Sequence, residues 1–98
     1  MKDKSAILKN LRTIPGVGKS IAEYLWDLGY RGVEELRGQD PEMMYNKYCD
    51  LRGQPIDRCL LYVFRCAVYF SEEDNPEPAL LKWWNWTDER MVAREHSG

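Results

Sequence analysis

The residues best suited to chemistry lie in one short stretch, Pro15-Gly16-Val17-Gly18-Lys19-Ser20. Two glycines around one apolar residue allow a tight reversal and let another backbone approach closely, because neither glycine has a Cβ. We expect Val17 to face the core and the amides of Gly16, Gly18 and the first residues of the next helix to point outward. Amides at a helix N-terminus attract anions, and Lys19 and Ser20 add a charge and a hydroxyl. The stretch therefore predicts a phosphate site that is blind to base sequence.

Two helices must position this turn. Ile7, Leu8 and Leu11 have helical spacing, and Pro15 ends that first helix at about Thr13. The second helix is predicted from about Lys19 to Leu28, and Gly29 is suited to a left-handed C-cap.

The rest of the chain also predicts helices. A short connector at Val33–Leu36 precedes a helix that begins at Asp40-Pro41 and ends near Asp50. The longest helix is predicted over Ile56–Phe70, with an apolar surface broad enough to make it the most buried element. An acidic linker follows, then a segment rich in tryptophan and a short last helix with Thr87 as its cap. The prediction is an all-α fold, a compact domain of five or more helices.

The plan of helix, turn, helix repeats loosely. The second turn, Leu51 to Pro55, has one glycine where the first has two, and we interpret it as a degenerate copy. Residues 1–71 are thus predicted to form a tandem unit, with residues 72–98 as a linker and an extension packed on the same core. Arg52 and Gly53 are predicted to give a weaker second phosphate contact, and Arg12 and Arg58 complete the predicted nucleic-acid-binding residues.

Charge is distributed unevenly along the chain. The formal net charge is −2, which disfavours broad affinity for nucleic acid from charge alone. Residues 1–20, however, carry five cations against the single acid Asp3, a local excess of +4, and this is the part that contains the glycine turn.

The stretch Ile14-Pro15-Gly16-Val17-Gly18-Lys19-Ser20-Ile21-Ala22 resembles the helix-hairpin-helix motif of DNA repair and replication proteins. The whole chain resembles the small bacterial "pathogenicity locus" family of helix-hairpin-helix proteins, through residues 60–70 and Trp83-Trp84-Asn85-Trp86, which follow the hairpin at the family's spacing. The resemblance implies a SAM-like or helix-hairpin-helix fold in which paired hairpins grip a duplex across the minor groove. It also implies a monovalent cation held by the turn's carbonyls, at Ile14 and Val17.

Two enzyme hypotheses are weaker. Gly18-Lys19-Ser20 imitates the end of a nucleotide-binding phosphate loop, but Thr13 stands where that loop needs glycine and the preceding residues are helical. DNA glycosylases with lyase activity resemble the hairpin but place a lysine at Ser20 and an aspartate near Gly38. The only histidine, His96, lies in the tail, so a histidine-centred triad is not expected. We predict no catalytic activity.

Other features have structural interpretations. Arg58, Tyr62, Arg65 and Tyr69 share one side of the long helix and are interpreted as packing rather than as a nucleic-acid face. The tryptophans Trp83, Trp84 and Trp86 are expected to close the core. Three cysteines with spacings of 10 and 7 predict buried thiols and no metal site. No cofactor, membrane span or secretion signal is predicted, which indicates the cytoplasm.

The sequence thus predicts a non-catalytic protein that binds the DNA backbone without sequence preference. The alternative is a protein-interaction or structural adaptor module without DNA binding, since fold does not fix function. Steep loss of affinity with salt would favour the first hypothesis, and an exposed apolar patch or a stable oligomer the second.

Overall fold

The computed structural model describes the backbone of residues 3–97 and the side chains of residues 3–94. That part of the chain is all-helical and has no strand, as predicted. Its α-helices are α1 (Lys4–Leu11), α2 (Lys19–Asp27), α3 (Pro41–Arg52), α4 (Cys59–Glu72) and α5 (Asp88–Ser97). Three short 3₁₀ turns, at Val33–Leu36, Pro78–Leu81 and Trp83–Trp86, connect them.

Side-chain caps define where several helices begin. The Asp3 carboxylate accepts a hydrogen bond from the Ala6 amide at 2.8 Å and starts α1. Asp40 accepts one from the Glu42 amide at 2.9 Å, and Pro41 occupies the first turn of α3. The predicted start at Asp40-Pro41 is therefore confirmed.

Helix α4 is the central element, and the prediction that it is the most buried helix is confirmed. Seven of its 14 residues are buried, and it packs against α3, the 3₁₀ turn at Val33–Leu36 and both C-terminal 3₁₀ turns. Its predicted bounds are wrong at both ends, because it begins at Cys59 rather than Ile56 and ends at Glu72 rather than Phe70. The late start follows from Asp57, whose carboxylate accepts a hydrogen bond from the Cys59 amide at 2.8 Å.

One hydrophobic core joins the first four α-helices. Its largest fully buried side chains include Leu11, Ile14, Leu25, Tyr48 and Phe64. Burying such side chains supplies most of the driving force for folding, at roughly 1.5–3 kcal/mol each. The residues that flank the glycine turn are thus fixed to the same core as the central helix.

The tryptophan-rich segment packs on the outer side of α4. Trp86 donates its indole N–H to the Leu80 carbonyl at 2.8 Å, and the buried Cys66 thiol contacts the same carbonyl. Trp83 is half-buried against the main core, whereas Trp84 is 52% exposed. The expectation that all three tryptophans close the core is therefore wrong for Trp84.

The helices are too short or too polar to cross a membrane. Between residues 3 and 97, no helix has the length and apolar character that a bilayer span requires.

Candidate functional site

The connection between α1 and α2 is a type II turn. The Val17 amide donates to the Ile14 carbonyl at 3.1 Å, and Gly16 has a φ of +84°. This turn type favours proline at its second position and needs glycine at its third, where Pro15 and Gly16 stand. Ile14 and Val17 are both buried and hold the turn against the core. The inward direction predicted for Val17 is confirmed.

The turn leads into an uncapped helix N-terminus. Gly18 is the N-cap of α2, has extended backbone angles and offers no side chain to the helical amides. Within the described part of the chain, the amides of Gly16, Gly18, Lys19 and Ser20 have no hydrogen-bond partner. A Cβ built on Gly18 would meet no heavy atom within 4 Å. An approaching ligand therefore finds several backbone donors at the positive end of the helix dipole.

A basic groove lies beside these amides. Lys9, Arg12 and Lys19 line it together with Ser5, Leu8 and Thr13, and its volume is about 510 Å³. All three cations are exposed, and no described side chain forms an ion pair with them. No acid is found among the described residues that line the groove, so its three cations favour a negatively charged ligand.

Sequence reasoning placed Arg12 and Lys19 in the site but omitted Lys9. Lys9 lies in the last turn of α1, and Arg12, three residues later, is the C-cap of the same helix. Residues at positions i and i+3 share one face of a helix. That spacing is the signal that could have identified Lys9.

The second turn has a different geometry. Gly53 has a φ of +70° and ends α3, and its amide donates to the Asp50 carbonyl at 3.2 Å. At the N-terminus of α4, the Asp57 carboxylate already accepts a hydrogen bond from the Cys59 amide. This hydrogen bond lowers the pKa of Asp57. A phosphate at this helix end would meet a negative charge. The Gln54 amide also donates within the turn, to the Cys49 carbonyl at 3.2 Å, so neither of these two amides is left open for the contact predicted at Arg52 and Gly53.

Arg58 and Arg52 are held by other groups. Arg58 donates from Nε and Nη2 to the two carboxylate oxygens of Asp88, at 2.6 and 3.1 Å. The Arg52 guanidinium lies 6.0 Å from the centre of the Tyr48 ring. The structure thus brings the residues of the first turn together with Arg12 but does not join Arg52, Gly53 or Arg58 to them.

The side of α4 on which arginines and tyrosines alternate is covered by the C-terminal segment. The Tyr62 hydroxyl donates to Asp88 at 3.1 Å, and Arg65 donates to the Trp86 carbonyl at 2.9 Å. The rings of Tyr69 and Trp86 lie 5.3 Å apart. The interpretation of this face as packing is confirmed.

A second, apolar pocket also adjoins the turn, with walls that do not include any residue of the basic groove. Its volume is about 380 Å³, and its walls are Gly16, Ser20, Ile21, Tyr24, Ile56, Asp57, Cys59, Leu60, Val63 and Trp83. A Cβ on Gly16 would lie 3.5 Å from Cδ1 of Trp83. Sequence reasoning missed this pocket because its walls come from α2, α4 and the tryptophan segment, which are far apart in the chain.

The cysteines differ in environment. Cys66 is buried, Cys49 is half-buried and Cys59 is exposed, so the prediction of buried thiols is wrong for Cys59. Burial raises the pKa of the Cys66 thiol to about 11. Among the residues that the structure describes, no three His, Cys, Asp or Glu side chains form a metal-binding cluster. The side chain of His96 lies outside the described residues.

The fold and the turn define a small all-helical domain with an anion-attracting helix end. The family described as Cdd1, pathogenicity locus, matches residues 4–92, and the chain belongs to this family. It is 35% identical over 81 residues to the mitomycin resistance protein McrB of Streptomyces lavendulae, covering 83% of this chain and 73% of that protein. No solved structure matches. The resemblance to the pathogenicity locus family is confirmed.

Proposed function

We propose that this protein binds the phosphate backbone of DNA through the α1–α2 turn, without catalysis and without base preference. The observation that carries the proposal is a set of unbonded amides beside the groove of Lys9, Arg12 and Lys19. These amides belong to Gly16, Gly18, Lys19 and Ser20. Backbone amides supply geometry for one phosphate, and the three cations attract its neighbours.

In this proposal, α1, the turn and α2 act as a helix-hairpin-helix motif. A monovalent cation at the Ile14 and Val17 carbonyls is part of the same hypothesis. The Ile14 carbonyl already accepts the Val17 amide within the turn, so it would offer the cation its second lone pair. A DNA-binding role would place the protein in the cytoplasm, where bacterial DNA lies.

The number of cations sets the expected strength of binding. Two to four phosphate contacts imply a slope of log affinity against log salt of roughly −2 to −4 for duplex DNA. Affinity is expected to be weak, with a Kd of about 10⁻⁴ to 10⁻⁶ M, as for other binders that contact only the backbone. The overall negative charge of the chain contributes to that weakness.

A protein-interaction module is the second candidate function. Among the described residues, four large apolar side chains are well exposed, Met43 at 69%, Leu51 at 56%, Trp84 at 52% and Val92 at 49%. Exposed apolar surface of this kind is typical of protein-binding sites when the side chains lie together. A stable oligomer in solution would favour this function.

A fluorescence anisotropy titration tests the proposal. Labelled duplex, single-stranded and junction DNA are titrated at two salt concentrations with the wild type, Lys19→Ala and Lys47→Ala. Lys47 is exposed on α3 and lines neither the basic groove nor the apolar pocket, so Lys47→Ala is a control of equal charge. We expect Lys19→Ala to weaken binding and Lys47→Ala to leave it nearly unchanged. Identical binding by all three proteins, or none at low salt, would favour the second candidate.

A further inference from the structure

The apolar pocket and the basic groove both adjoin the N-terminus of α2 and share no lining residue. Gly16 and Ser20 line the pocket, while Lys19, between them in the same stretch of chain, lines the groove. A ligand held by the amides of this turn therefore lies next to both surfaces. One surface is positively charged and the other is mostly apolar.

The chemistry of the pocket suits a planar heteroaromatic group. Trp83 and Tyr24 supply aromatic walls, and Ile21 and Ile56 supply aliphatic ones. Tyr24 stacks on Tyr48 with ring centres 4.6 Å apart, which fixes the direction of its ring. Stacking on such side chains is the usual way in which proteins hold unpaired bases, and it tolerates any base.

Among the described residues of the pocket wall, Asp57 alone is charged. Its carboxylate accepts from the Cys59 amide and has further acceptor capacity. The exocyclic amino groups of cytosine, adenine and guanine are hydrogen-bond donors. A phosphate would be repelled by Asp57 but attracted by Lys19, so charge directs the phosphate to the groove and the base to the pocket.

We propose that the pocket receives an unpaired base of the strand whose phosphate lies at the α1–α2 turn. The substrate class is therefore single-stranded or locally unpaired DNA. This inference rests on the proposed function and adds to it a preference among DNA structures. A base in a duplex has to be unstacked and unpaired before it reaches the pocket, which costs binding energy.

The test compares three ligands of about 12 nucleotides per strand, within the usual range for single-strand sites. They are oligodeoxycytidine, a strand of the same length and charge built of abasic sites, and a fully paired duplex. The readout is the Kd of the wild type, by fluorescence anisotropy at one low salt concentration. Because one stacked base is worth roughly 5- to 100-fold in affinity, we expect oligodeoxycytidine to bind about tenfold more tightly than the abasic strand.

A matched pair of variants locates the base. Cys59 is exposed at the start of α4 and lines the pocket, so Cys59→Phe fills the pocket without disturbing the core. Asn46→Phe adds the same ring at an exposed position of α3 outside the pocket wall and is the control. We expect Cys59→Phe to bind oligodeoxycytidine only as tightly as the abasic strand, and Asn46→Phe to behave as the wild type. Lys19→Ala should weaken binding of both strands.

The outcomes separate the two proposals. Equal wild-type affinity for oligodeoxycytidine and the abasic strand, with both weakened by Lys19→Ala, would overturn the base pocket and leave the backbone site standing. A preference for oligodeoxycytidine that survives Cys59→Phe would also overturn the pocket. No binding of any ligand would overturn both proposals. The comparison of ligands uses only the wild type, so it holds even where a variant folds poorly.

Discussion

Asp88 connects α5 to the central helix, and its removal should measurably destabilise the protein. Its carboxylate accepts hydrogen bonds from Arg58 at 2.6 Å and from the Tyr62 hydroxyl at 3.1 Å. It also lies 3.1 Å from a side-chain nitrogen of Arg65. Asp88→Asn keeps the shape and one acceptor oxygen but removes the charge. The perturbation therefore removes the charge and the hydrogen bonds to one of the two oxygens, and it keeps the volume of the side chain.

The structure sets the size of the effect. The side chains of Arg58 and Asp88 are about half exposed, so solvent screens their ion pair and it contributes little. The side chain of Arg65 is only 10% exposed, and Asp88 is the nearer of its two carboxylate partners. Loss of a charged partner by a mostly buried guanidinium costs about 1–2 kcal/mol. For a chain of this length, that corresponds to a fall in Tm of roughly 5–15 °C.

Urea denaturation between pH 7 and pH 3 checks the size and the pH dependence of this effect. The hydrogen bonds from Arg58, with those from Arg65 and Tyr62, hold the pKa of Asp88 well below its ordinary value. A lowered folded-state pKa gives stability that is complete above the unfolded-state pKa, near 4, and is lost as the pH falls. The difference between wild type and Asp88→Asn should therefore be full at pH 7 and shrink below about pH 4.

The control is Glu89→Gln, in the same first turn of α5. No ion pair of Glu89 is found in the described residues, so only the helix dipole is affected and the loss should stay below about 0.5 kcal/mol. Equal losses in the two variants, or a difference that does not change with pH, would refute the reasoning.

Three further predictions concern single residues. Gly16→Ala should lower the free energy of unfolding by about 1 kcal/mol, because Gly16 has a positive φ. Gly18→Ala should change it by less than about 1 kcal/mol, because Gly18 has extended backbone angles and open space around it. Equal urea midpoints for the two variants would contradict this. Tyr45→Phe should cost about 1–2 kcal/mol in the same assay, because its hydroxyl donates to the Ile56 carbonyl; an unchanged midpoint would show that bond to be unimportant. Cys66 should resist alkylation at pH 8 until urea unfolds the protein, as mass spectrometry would show, and rapid native labelling would count against its burial.

The sequence predicts the fold well where capping is local. Asp40-Pro41 starts α3, and Gly29 follows α2 with a φ of +101°. These signals act over a few residues, and so they can be read without knowing the fold. The apolar pattern of α4 likewise predicts a central helix, because it leaves the helix little polar surface. In the structure, seven residues of α4 are buried.

The sequence predicts less where distant residues decide. The start of α4 is a separate, local miss: the Asp57 carboxylate accepts a hydrogen bond from the Cys59 amide two residues later, although Ile56 continues the apolar pattern of the helix. Arg58 is paired because Asp88 lies against it, and nothing near Arg58 in the chain indicates that partner. The nucleic-acid role of Arg58 stays a prediction, and the sequence contains no sign of this ion pair.

In the candidate site, too, the features set by neighbouring residues are predictable and those set by distant residues are not. The type II turn and the open N-terminus of α2 depend on Pro15, Gly16 and Gly18, and the residue types predict them directly. The adjacent pocket depends on Trp83, which reaches the turn only through the packing of the C-terminal segment on α4. That contact has no local signal in the sequence.

The most direct test of the central claim is an NMR titration of the ¹⁵N-labelled protein with a short DNA strand, followed through the backbone amide signals. Binding at the turn predicts large shifts for the amides of Gly16, Gly18, Lys19 and Ser20, which have no hydrogen-bond partner in the described residues. The Gly53 amide, already bonded to Asp50, should move little. Shifts that are absent, or that centre on Gly53 and leave the first turn unchanged, would contradict the account.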